Sequence, residues 1–411
     1  MQYCAPKGMR DFLPDQMAQR EWAIETIKAV YRSFGFVPMD SPALENVETL
    51  EKKCGEEIKG QLFRIDDRRL ALRFDLTVPL ARIASTNTFK KPLKRYCIGP
   101  VWRKEEPQKG RFREFYQADA DIIGCGSMRA EAELIAAACS AIEALGFQGP
   151  RVLLNDRRVI SEIAKSILPQ KETQVLRVLD KKDKIGKQET LRLLVELGAT
   201  EESAQNLLEV LSAGTSMQEK LEIAQKYHKK AAEDLERIVE LVGHYSKDIK
   251  IEIDLALARG LDYYTGPIFE IKLSDQIGSV AGGGRYDSLL SFYGQGDFAV
   301  GISLGLERLL WLMKDKKTSS NAVFVATAQP DIYPYAIKVA SAMRAVGIPT
   351  HTDLNERSLA KQLEYAASCC RWAAILGQKE MHASAVTLRE LESGKEETLS
   401  LELAVRKIKG N

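Results

Sequence analysis

The chain has 411 residues, 45% of them hydrophobic and 28% charged, with a net charge of +2, and that length predicts about two or three domains. The nearly balanced charge neither indicates nor excludes a nucleic-acid partner, and no apolar run approaches the length that crosses a bilayer, so we expect no membrane association. Seven cysteines without a C-x-x-C pair, and a first segment without the apolar core of a signal peptide, favour reduced thiols and a cytoplasmic protein.

The first 160 residues predict two long helices with strands between them. Residues 15–34 predict a helix that Gly35 ends, and Ser127 can cap a second helix over 129–145. The segment 95–124 predicts a long hairpin with a charged loop.

The middle of the chain changes in character. Between about Ser161 and Gly243, leucines recur at helical spacing among many charged residues, which predicts a helical insertion. Strand patterns return at 250–257 and 267–273. The charged faces of the insertion are expected to be solvated, and contact with RNA is the less favoured alternative.

The last ninety or so residues predict a separate small domain. Residues 301–313 predict a helix after a glycine-rich entry, and 314–321 form a polar linker. The remainder alternates strand and helix in the order β-α-β-α-β, which is typical of an α/β domain on a mainly parallel sheet. The fold class is therefore α+β, with a C-terminal α/β domain.

Two neighbouring blocks hold the densest chemistry. RGLDYYTGPIFE at 259–270 is followed by GGGRYDSLL at 282–290. Fixed positive charge, phenolic hydroxyls and a backbone without Cβ atoms suit an anionic ligand with a polar head group. A glycine-rich hairpin with ordinary surface arginines is the alternative for GGGR alone, but the two blocks together favour a binding site.

The hairpin at 95–124 has a second polar set. Period-two alternation places the following side chains on one face of its second strand: Arg111, Arg113, Phe115, Gln117, Asp119 and Asp121. Arginines at one end and carboxylates at the other would bind a ligand that is anionic at one end and a hydrogen-bond donor at the other. Cross-strand ion pairs on an exposed hairpin, each contributing ~0.2–1 kcal/mol, are the alternative.

Three residues elsewhere fit the same kind of ligand. Asp75 and Thr77 are two apart, so both would project from one side and could hold an ammonium group. Arg308 follows a glycine-rich turn and could reach a polyphosphate, although a helix arginine is most often simply solvated. Four scattered histidines argue against a zinc site or a histidine-based triad.

Together these blocks resemble the three signature motifs of class II aminoacyl-tRNA synthetases. RGLDYYTG and GGGRYDSLL are similar to the two histidine-specific motifs of the histidyl-tRNA synthetase family. The resemblance begins with GMRDFLP at 8–14 and continues to RSLAKQLEYA at 357–366, which is similar to that family's anticodon-binding domain. It implies an antiparallel-sheet catalytic core, and a homodimer with the motif that ends at Pro42 at its interface.

The resemblance also implies domain boundaries: a catalytic core over 1–160 and 246–316, a helical insertion over 161–245 and an anticodon-binding domain over 321–411. Tyr365 and Arg357 are candidates for stacking on anticodon bases.

The resemblance implies a set of ATP-binding residues: Arg103, Glu105, Arg111, Phe115 and Arg308. Arg103 would hold the α-phosphate and Arg308 the γ-phosphate, while Glu105 would lie by the adenine amino group and Phe115 would stack on adenine. Mg²⁺ would accompany the β and γ phosphates, without a site made of protein ligands alone. Gln108 and Arg111 would approach the acceptor end of tRNA(His).

It implies a set of L-histidine-binding residues as well: Asp75, Thr77, Gln117, Asp121, Arg259, Tyr263 and Tyr264. Asp75, Thr77 and Gln117 would meet the α-ammonium. Asp121 and Tyr264 would bond the two imidazole nitrogens, since a carboxylate and a phenol suit a ring with one donor and one acceptor. Many family members have Glu at the position of Asp121. Arg259 would be the catalytic arginine, together with Arg103.

The implied activity is histidine–tRNA ligation in two steps. The histidine carboxylate attacks the α-phosphate of ATP, and the 3′-terminal hydroxyl of tRNA(His) then attacks the adenylate. One alternative is a catalytically silent relative that acts as a regulatory subunit of ATP phosphoribosyltransferase. Such proteins typically lose motif arginines and the anticodon-binding domain, whereas Arg103, Arg259, Arg308 and the segment 321–411 are present. A generic nucleotide-binding scaffold would leave the paired blocks unexplained.

Overall fold

The computed structural model divides the chain into two compact units, Met1–Lys316 and Lys317–Asn411. The residues that the structure describes are 3–52, 56–65, 69–107, 110–258, 263–274, 278–294, 296–313 and 321–410. Within these ranges, no helix is long and apolar enough to cross a membrane.

The first unit is built around a large, mostly antiparallel sheet and a smaller one. Its described strands are β1 (Val37–Pro38), β2 (Leu44–Asn46), β3 (Leu70–Leu72), β4 (Leu93–Trp102), β5 (Glu114–Ile123), β6 (Arg151–Asp156), β7 (Lys250–Ile253), β8 (Pro267–Lys272), β9 (Ala281–Arg285) and β10 (Ala299–Gly305). Strands β2 and β3 pair with each other, and the large sheet has the order β1-β4-β5-β10-β9-β8-β6-β7. Its outermost pairs, β1–β4 and β6–β7, are parallel, and its other neighbours are antiparallel. The predicted antiparallel core is confirmed.

Helices cover one face of the large sheet and fill the stretch between β6 and β7. Those described are α1 (Pro14–Ser33), α2 (Val47–Glu51), α3 (Glu56–Gln61), α4 (Thr77–Thr86), α5 (Arg129–Ala144), α6 (Arg157–Lys165), α7 (Glu172–Asp180), α8 (Lys182–Glu196), α9 (Glu201–Ser212), α10 (Met217–Tyr227), α11 (Lys229–Tyr245), α12 (Asp287–Ser291) and α13 (Leu306–Leu312), with a 3₁₀ turn at Pro169–Lys171. The helical character predicted between Ser161 and Gly243 is observed. Helix α11 packs on α10 within this group, and on α5 and β6 outside it.

The main core lies on one face of the large sheet. Alternate side chains of β5 and β10 on this face are apolar and buried: Ala118, Ala120, Ile122, Val300, Ile302 and Leu304. They pack against α1 and α5, where burial of each large apolar side chain stabilises the fold by roughly 1.5–3 kcal/mol. Because strand side chains alternate between faces, the residues between them are free to be polar.

One sequence prediction in this region was wrong, and one alternative is observed only in part. Residues 301–305 were predicted as the start of a helix, but they continue β10, and α13 begins only at Leu306. The glycine-rich hairpin with surface arginines was the alternative for GGGR alone; residues 282–285 do pair antiparallel with β8, but they lie within the buried strand β9. In both segments glycine, which disfavours a helix and often marks a turn, instead leaves space between packed strands.

The second unit has its own sheet and helices. Its strands are β11 (Val323–Thr327), β12 (Thr350–Thr352), β13 (Trp372–Leu376), β14 (Ala385–Glu390) and β15 (Glu396–Ser400), in the order β12-β11-β13-β14-β15. Its helices are α14 (Tyr333–Ala345), α15 (Leu359–Cys369), α16 (Gln378–Ala383) and α17 (Leu401–Lys409), with a 3₁₀ turn at Pro330–Ile332. The predicted parallel β-α-β-α-β part is present in β11, β12 and β13. Two further strands extend it in antiparallel fashion.

Candidate functional site

The face of the large sheet opposite the main core carries a group of polar side chains among smaller apolar clusters. On β5, Gln117, Asp119 and Asp121 alternate with the buried alanines of the core face, and all three are almost completely buried. Their Cα partners on the adjacent strand β10 are Gly305, Ser303 and Gly301. We call this surface of β4, β5, β9 and β10 the polar face. The predicted alternation of residues 115–121 is therefore confirmed.

Glycines leave room on the polar face for two side chains. A Cβ at Gly301 would lie 2.0 Å from Oδ1 of Asp121, and a Cβ at Gly284 would lie 2.9 Å from Cδ1 of Tyr264. Gly301 and Gly284 are themselves Cα partners in the β9–β10 ladder. The absence of side chains at these positions thus determines where Asp121 and Tyr264 can lie.

Asp121 is the centre of a buried hydrogen-bond network. The hydroxyl of Tyr286 donates to Asp121 Oδ1 at 2.5 Å, and Arg95 Nη2 lies 2.8 Å from Oδ2. The same Arg95 nitrogen donates to the carbonyl of Leu76 at 2.9 Å. Burial raises the pKa of Asp121, while Arg95 and the Tyr286 hydrogen bond act to lower it. Oδ1 therefore accepts a hydrogen bond, whereas Oδ2 makes the ion pair with Arg95 but has no hydrogen bond.

Next to this network, two acceptor oxygens lack partners. Gln117 Nε2 donates to Ser303 Oγ at 2.7 Å, but Gln117 Oε1 has no hydrogen bond, and neither does Asp119 Oδ1. Burial, followed by the charge of Asp121, raises the pKa of Asp119 to about 7. Buried polar atoms without partners are rare in folded proteins, so each calls for an explanation.

A third unpartnered oxygen belongs to Asp75, just before α4. Its Oδ1 accepts the backbone N–H of Val78 at 3.0 Å, while its buried Oδ2 has no hydrogen bond. Burial raises the pKa of Asp75 to about 6, although the Val78 N–H and the Arg103 charge act to lower it. Asp75 and Thr77 were predicted to project from the same side because residues two apart do so in an extended strand. Thr77 is instead the first residue of α4 and is half-buried, so that spacing rule does not apply here.

Four of the predicted ATP-binding residues lie together at the other end of β4 and β5: Arg103, Glu105, Arg111 and Phe115. Arg103 Nε donates to the carbonyl of Phe74 at 2.9 Å, and its Cζ lies 5.1 Å from the centre of the Phe115 ring. The Glu105 carboxylate lies 3.9 Å from Arg103 and 3.8 Å from Arg111. At this end the guanidinium groups of Arg103 and Arg111 both face the Glu105 carboxylate, and Arg103 also lies beside the Phe115 ring. The side chain of Arg111 is exposed.

Arg308 lies in α13, and its Nη1 donates to the carbonyl of Ser279, just before β9. The residue before it, Glu307, is buried and is paired with both Arg10 and Arg20 from the N-terminal part of the chain. The carboxylate thus fixes the first turn of the helix that holds Arg308.

Tyr263 and Tyr264 are buried beside Tyr286. The ring centres of Tyr263 and Tyr264 are 5.0 Å apart, and those of Tyr263 and Tyr286 are 5.9 Å apart, both in edge-to-face geometry. Such aromatic pairs contribute roughly 0.5–1.5 kcal/mol beyond burial. Two other predicted site residues, Arg259 and Gln108, lie outside the described residues.

Sequence reasoning did not assign a role to Arg95, Tyr286 or Ser303. Arg95 and Asp121 are Cα partners in the β4–β5 hairpin, so a correct hairpin register would have paired them. Asp119 was placed on the right face without a role.

Arg285 was expected to contribute positive charge to the ligand site, and this was wrong. It points to the core face, where it pairs with buried Glu131. Burial raises the pKa of Glu131 to about 7, despite the Arg285 charge. Because β9 alternates like any strand, the arginine after GGG lies on the face opposite the site. Elsewhere, no three His, Cys, Asp or Glu side chains within the described ranges are placed to hold a metal ion.

The chain matches two family descriptions: Histidyl-tRNA synthetase over residues 8–309, and Anticodon binding domain over residues 322–411. The histidine–tRNA ligase of Aeropyrum pernix is 38% identical over 424 residues, which cover 98% of this chain and 97% of that protein. The crystal structure of histidyl-tRNA synthetase from Nostoc sp. PCC 7120 is similar with a TM-score of 0.87 and 28% identity, covering 100% of this chain and 99% of that chain.

A further structure, of an ATP phosphoribosyltransferase regulatory subunit/histidyl-tRNA synthetase from Bacillus halodurans C, covers 92% of this chain and 98% of its own. Its TM-score is 0.75 but its identity is 23%, so it shows a common fold alone. Fold and sequence together define an aminoacyl-tRNA synthetase. With a family match over 8–309 and relatives 38% identical over nearly its whole length, the chain belongs to the histidyl-tRNA synthetase family.

Proposed function

We propose that this protein is an active histidine–tRNA ligase of the cytoplasm, which activates L-histidine with ATP and transfers it to tRNA(His). The observation that carries the proposal is the set of unpartnered oxygens on and beside the polar face. Asp75, Gln117 and Asp119 each present a buried oxygen without a hydrogen-bond donor. A histidine molecule supplies donors at both ends, since its α-ammonium has three N–H groups and its neutral imidazole has one.

The ligand would lie along β5 between its two differently charged ends. Arg103 and Phe115 at one end suit the α-phosphate and the adenine of ATP, and Arg308 suits the γ-phosphate. Asp75, Thr77 and Gln117 would then meet the α-ammonium. At the far end a carboxylate of the polar face, Asp121 by resemblance, and the phenol of Tyr264 would bond the imidazole, with Tyr263 beside them.

The first step joins the histidine carboxylate to the α-phosphorus and breaks the bond to the β-phosphate oxygen, which leaves with pyrophosphate. Arg103 and Arg259 would neutralise the charge that accumulates on the α-phosphate. No protein nucleophile is required, so catalysis consists of positioning and charge stabilisation. Mg²⁺ would enter with the β and γ phosphates of ATP as part of the substrate complex.

In the second step the 3′-terminal hydroxyl of tRNA(His) attacks the adenylate carbonyl and releases AMP. Gln108 and Arg111 would approach the acceptor end. The segment 321–411 would bind the anticodon. In it the guanidinium of Arg357 lies 4.2 Å above the ring of Tyr365, whose side chain is exposed, and this supports a role in base stacking.

The catalytic core would consist of residues 1–160 and 246–316, with 161–245 as a helical insertion. A homodimer is proposed through the motif that ends at Pro42. In support of this interface, the apolar side chains of Val37 and Leu44 beside it are 49% and 43% exposed.

Histidine-dependent exchange of labelled pyrophosphate into ATP tests the proposal. We expect exchange with L-histidine and none with other amino acids, and Arg103→Ala should abolish it while the protein stays folded. Absence of exchange with folded wild-type protein would instead favour the silent regulatory relative. That alternative is less supported, because the motif arginines Arg103 and Arg308 and the segment 321–411, which such relatives typically lose, are all present in the chain.

A further inference from the structure

Asn155 lies at the far end of a row of side chains that begins at the candidate histidine site. Residues that are Cα partners on neighbouring strands place their side chains on the same face of a sheet. Successive partners across β4, β5, β10, β9, β8 and β6 form one row: Arg95, Asp121, Gly301, Gly284, Ile268 and Asn155. Asn155 therefore lies on the same side of the large sheet as Asp121, four strands away from it.

The side chain of Asn155 holds a turn of the backbone. It is completely buried, and its amide nitrogen Nδ2 donates to the carbonyl of Leu255 at 3.2 Å and to that of Leu257 at 3.0 Å. Its own oxygen, Oδ1, is buried without a hydrogen bond. An apolar side chain would avoid that unpaired oxygen but would leave both carbonyls without this donor. The amide of Asn155 thus acts on the turn.

This turn comes directly before the block RGLDYYTG at 259–266. It begins at Asp254, whose N–H donates to the carbonyl of Leu154 on β6 at 2.9 Å. The N–H of Leu257 then closes the turn on the carbonyl of Asp254, also at 2.9 Å. Arg259, which lies outside the described residues, follows two positions later in the sequence. The turn therefore sets where the backbone approaches the block.

The other end of the block is anchored to the same part of β6. The carbonyl of Gly266 accepts the N–H of Arg157 at 2.9 Å, and Arg157 comes two residues after Asn155. The N–H of Thr265 donates to the carbonyl of Arg285 on β9 at 2.8 Å. The end of β6 thus binds the backbone on both sides of the block, and Asn155 supplies the side-chain hydrogen bonds of this attachment.

We propose that Asn155 is a positioning residue for Arg259, because its two hydrogen bonds hold the backbone from which that arginine would act on the α-phosphate of ATP. This inference rests on the proposed function, in which Arg259 neutralises charge on that phosphate. A displacement of about 1 Å in a positioned group lowers a rate by as much as about 100-fold, so a fixed turn matters for the chemical step. Asn155 acts through the backbone of Leu255 and Leu257 and has no chemical step of its own.

Asn155→Asp tests the inference with little change of shape, because an ionised carboxylate donates to neither carbonyl. The rate of adenylate formation in a single turnover should fall about 10- to 100-fold. The Kd for histidine should change little, since Asp75 and Gln117, which would meet the α-ammonium, lie on other elements. Equal losses in the rate and in histidine binding would overturn the inference, and so would an unchanged rate. If N155D is not recovered folded, Asn155→Ala provides the same comparison without a buried charge.

Gln362→Glu is the matched control. The buried amide nitrogen of Gln362 also donates to two backbone carbonyls, those of Thr327 at 3.2 Å and Arg357 at 2.6 Å, but it lies in the second unit. Since adenylate formation does not require the anticodon, its rate in Q362E should equal that of the wild type, whatever the melting temperature.

Equal falls in the rate of Q362E and N155D would indicate a general loss of structure and would overturn the inference. Wild-type protein without histidine-dependent exchange would refute the proposed function itself. Active wild-type protein with an unaffected N155D refutes this inference alone.

Discussion

Gly301 and Asp121 face each other across β10 and β5 so closely that a Cβ at residue 301 would lie 2.0 Å from Asp121 Oδ1. The same Cβ would lie 3.2 Å from Cε1 of Tyr286. The glycine is therefore required by the carboxylate opposite it rather than by its own backbone conformation.

The first prediction concerns this contact. Gly301→Ala should displace Asp121, break its hydrogen bond with Tyr286 and reduce histidine activation by at least about 10-fold, since the lost bond involves a charged group. Pyrophosphate exchange and the melting temperature would measure the effect. Gly305→Ala is the steric control, because a Cβ there meets only the Val280 carbonyl at an ordinary 3.5 Å. A G301A protein with wild-type histidine KM would contradict the prediction.

The second prediction concerns stability and pH. Burial raises the pKa of Asp119 to about 7, well above the ordinary value of an aspartate. Between about pH 4 and 7, the Asp119 carboxyl is therefore protonated in the folded protein and ionised in the unfolded chain. The contribution of Asp119 to the free energy of unfolding is therefore fully present below about pH 4 and is lost as the pH rises through 7.

Asp119→Asn should remove the loss of folding stability that the wild type shows as the pH rises through 7. At pH 8 its melting temperature should exceed that of the wild type by a few °C (~2–4 °C per kcal/mol), and the difference should shrink toward pH 5. Thermal unfolding across pH 5–8 measures it. A D119N protein less stable than the wild type at pH 8 would show that the charge of Asp119 stabilises the free protein.

The third prediction concerns the buried ion pair of Arg20 with Glu307. Both side chains are almost completely buried, whereas Arg10, the second partner of Glu307, is 37% exposed. Glu307→Gln leaves the Arg20 guanidinium buried without its carboxylate and should destabilise the protein by about 3–5 kcal/mol. Arg10→Ala should cost less, because water can solvate that site.

Denaturant unfolding measures this difference. In Glu307→Gln, the KM for ATP should rise as well, since Glu307 fixes the turn that holds Arg308. Equal stability losses in R10A and E307Q would show that burial does not set the strength of these contacts.

The fourth prediction concerns Arg259, in the block RGLDYYTG. Arg259→Ala should lower adenylate formation by orders of magnitude while histidine binding falls much less, because the arginine would act on charge that develops at the reacting phosphate. Single-turnover kinetics and equilibrium binding of histidine separate the two quantities. Equal losses in both would contradict this division of roles.

Local alternation was enough to predict which β5 side chains share a face. Phe115, Gln117, Asp119 and Asp121 required only the period of two and a strand assignment. The contact of Asp121 with Arg95 depends on the register of the hairpin, which in turn depends on the conformation of its loop.

Other contacts of the site join residues that are far apart in the sequence. The contact between Asp121 and Tyr286 joins residues 165 positions apart, through a sheet order that brings β10 between β5 and β9. Glycines also misled the prediction at 301–305, where a helix was expected in place of β10, while Gly283 and Gly284 serve close packing between strands. Which role a glycine has depends on neighbours that come from distant parts of the chain.

The buried oxygens of Asp75, Gln117 and Asp119 that lack hydrogen bonds have a consequence for the protein when its amino acid is scarce. Each buried acceptor without a donor destabilises the free state, and a ligand that supplies donors shifts the folding equilibrium by mass action. At a histidine concentration about 100-fold above its dissociation constant, that shift is ~2.7 kcal/mol. Starvation for histidine would thus shorten the lifetime of the protein against proteolysis, so that its cellular abundance would follow the supply of its own substrate.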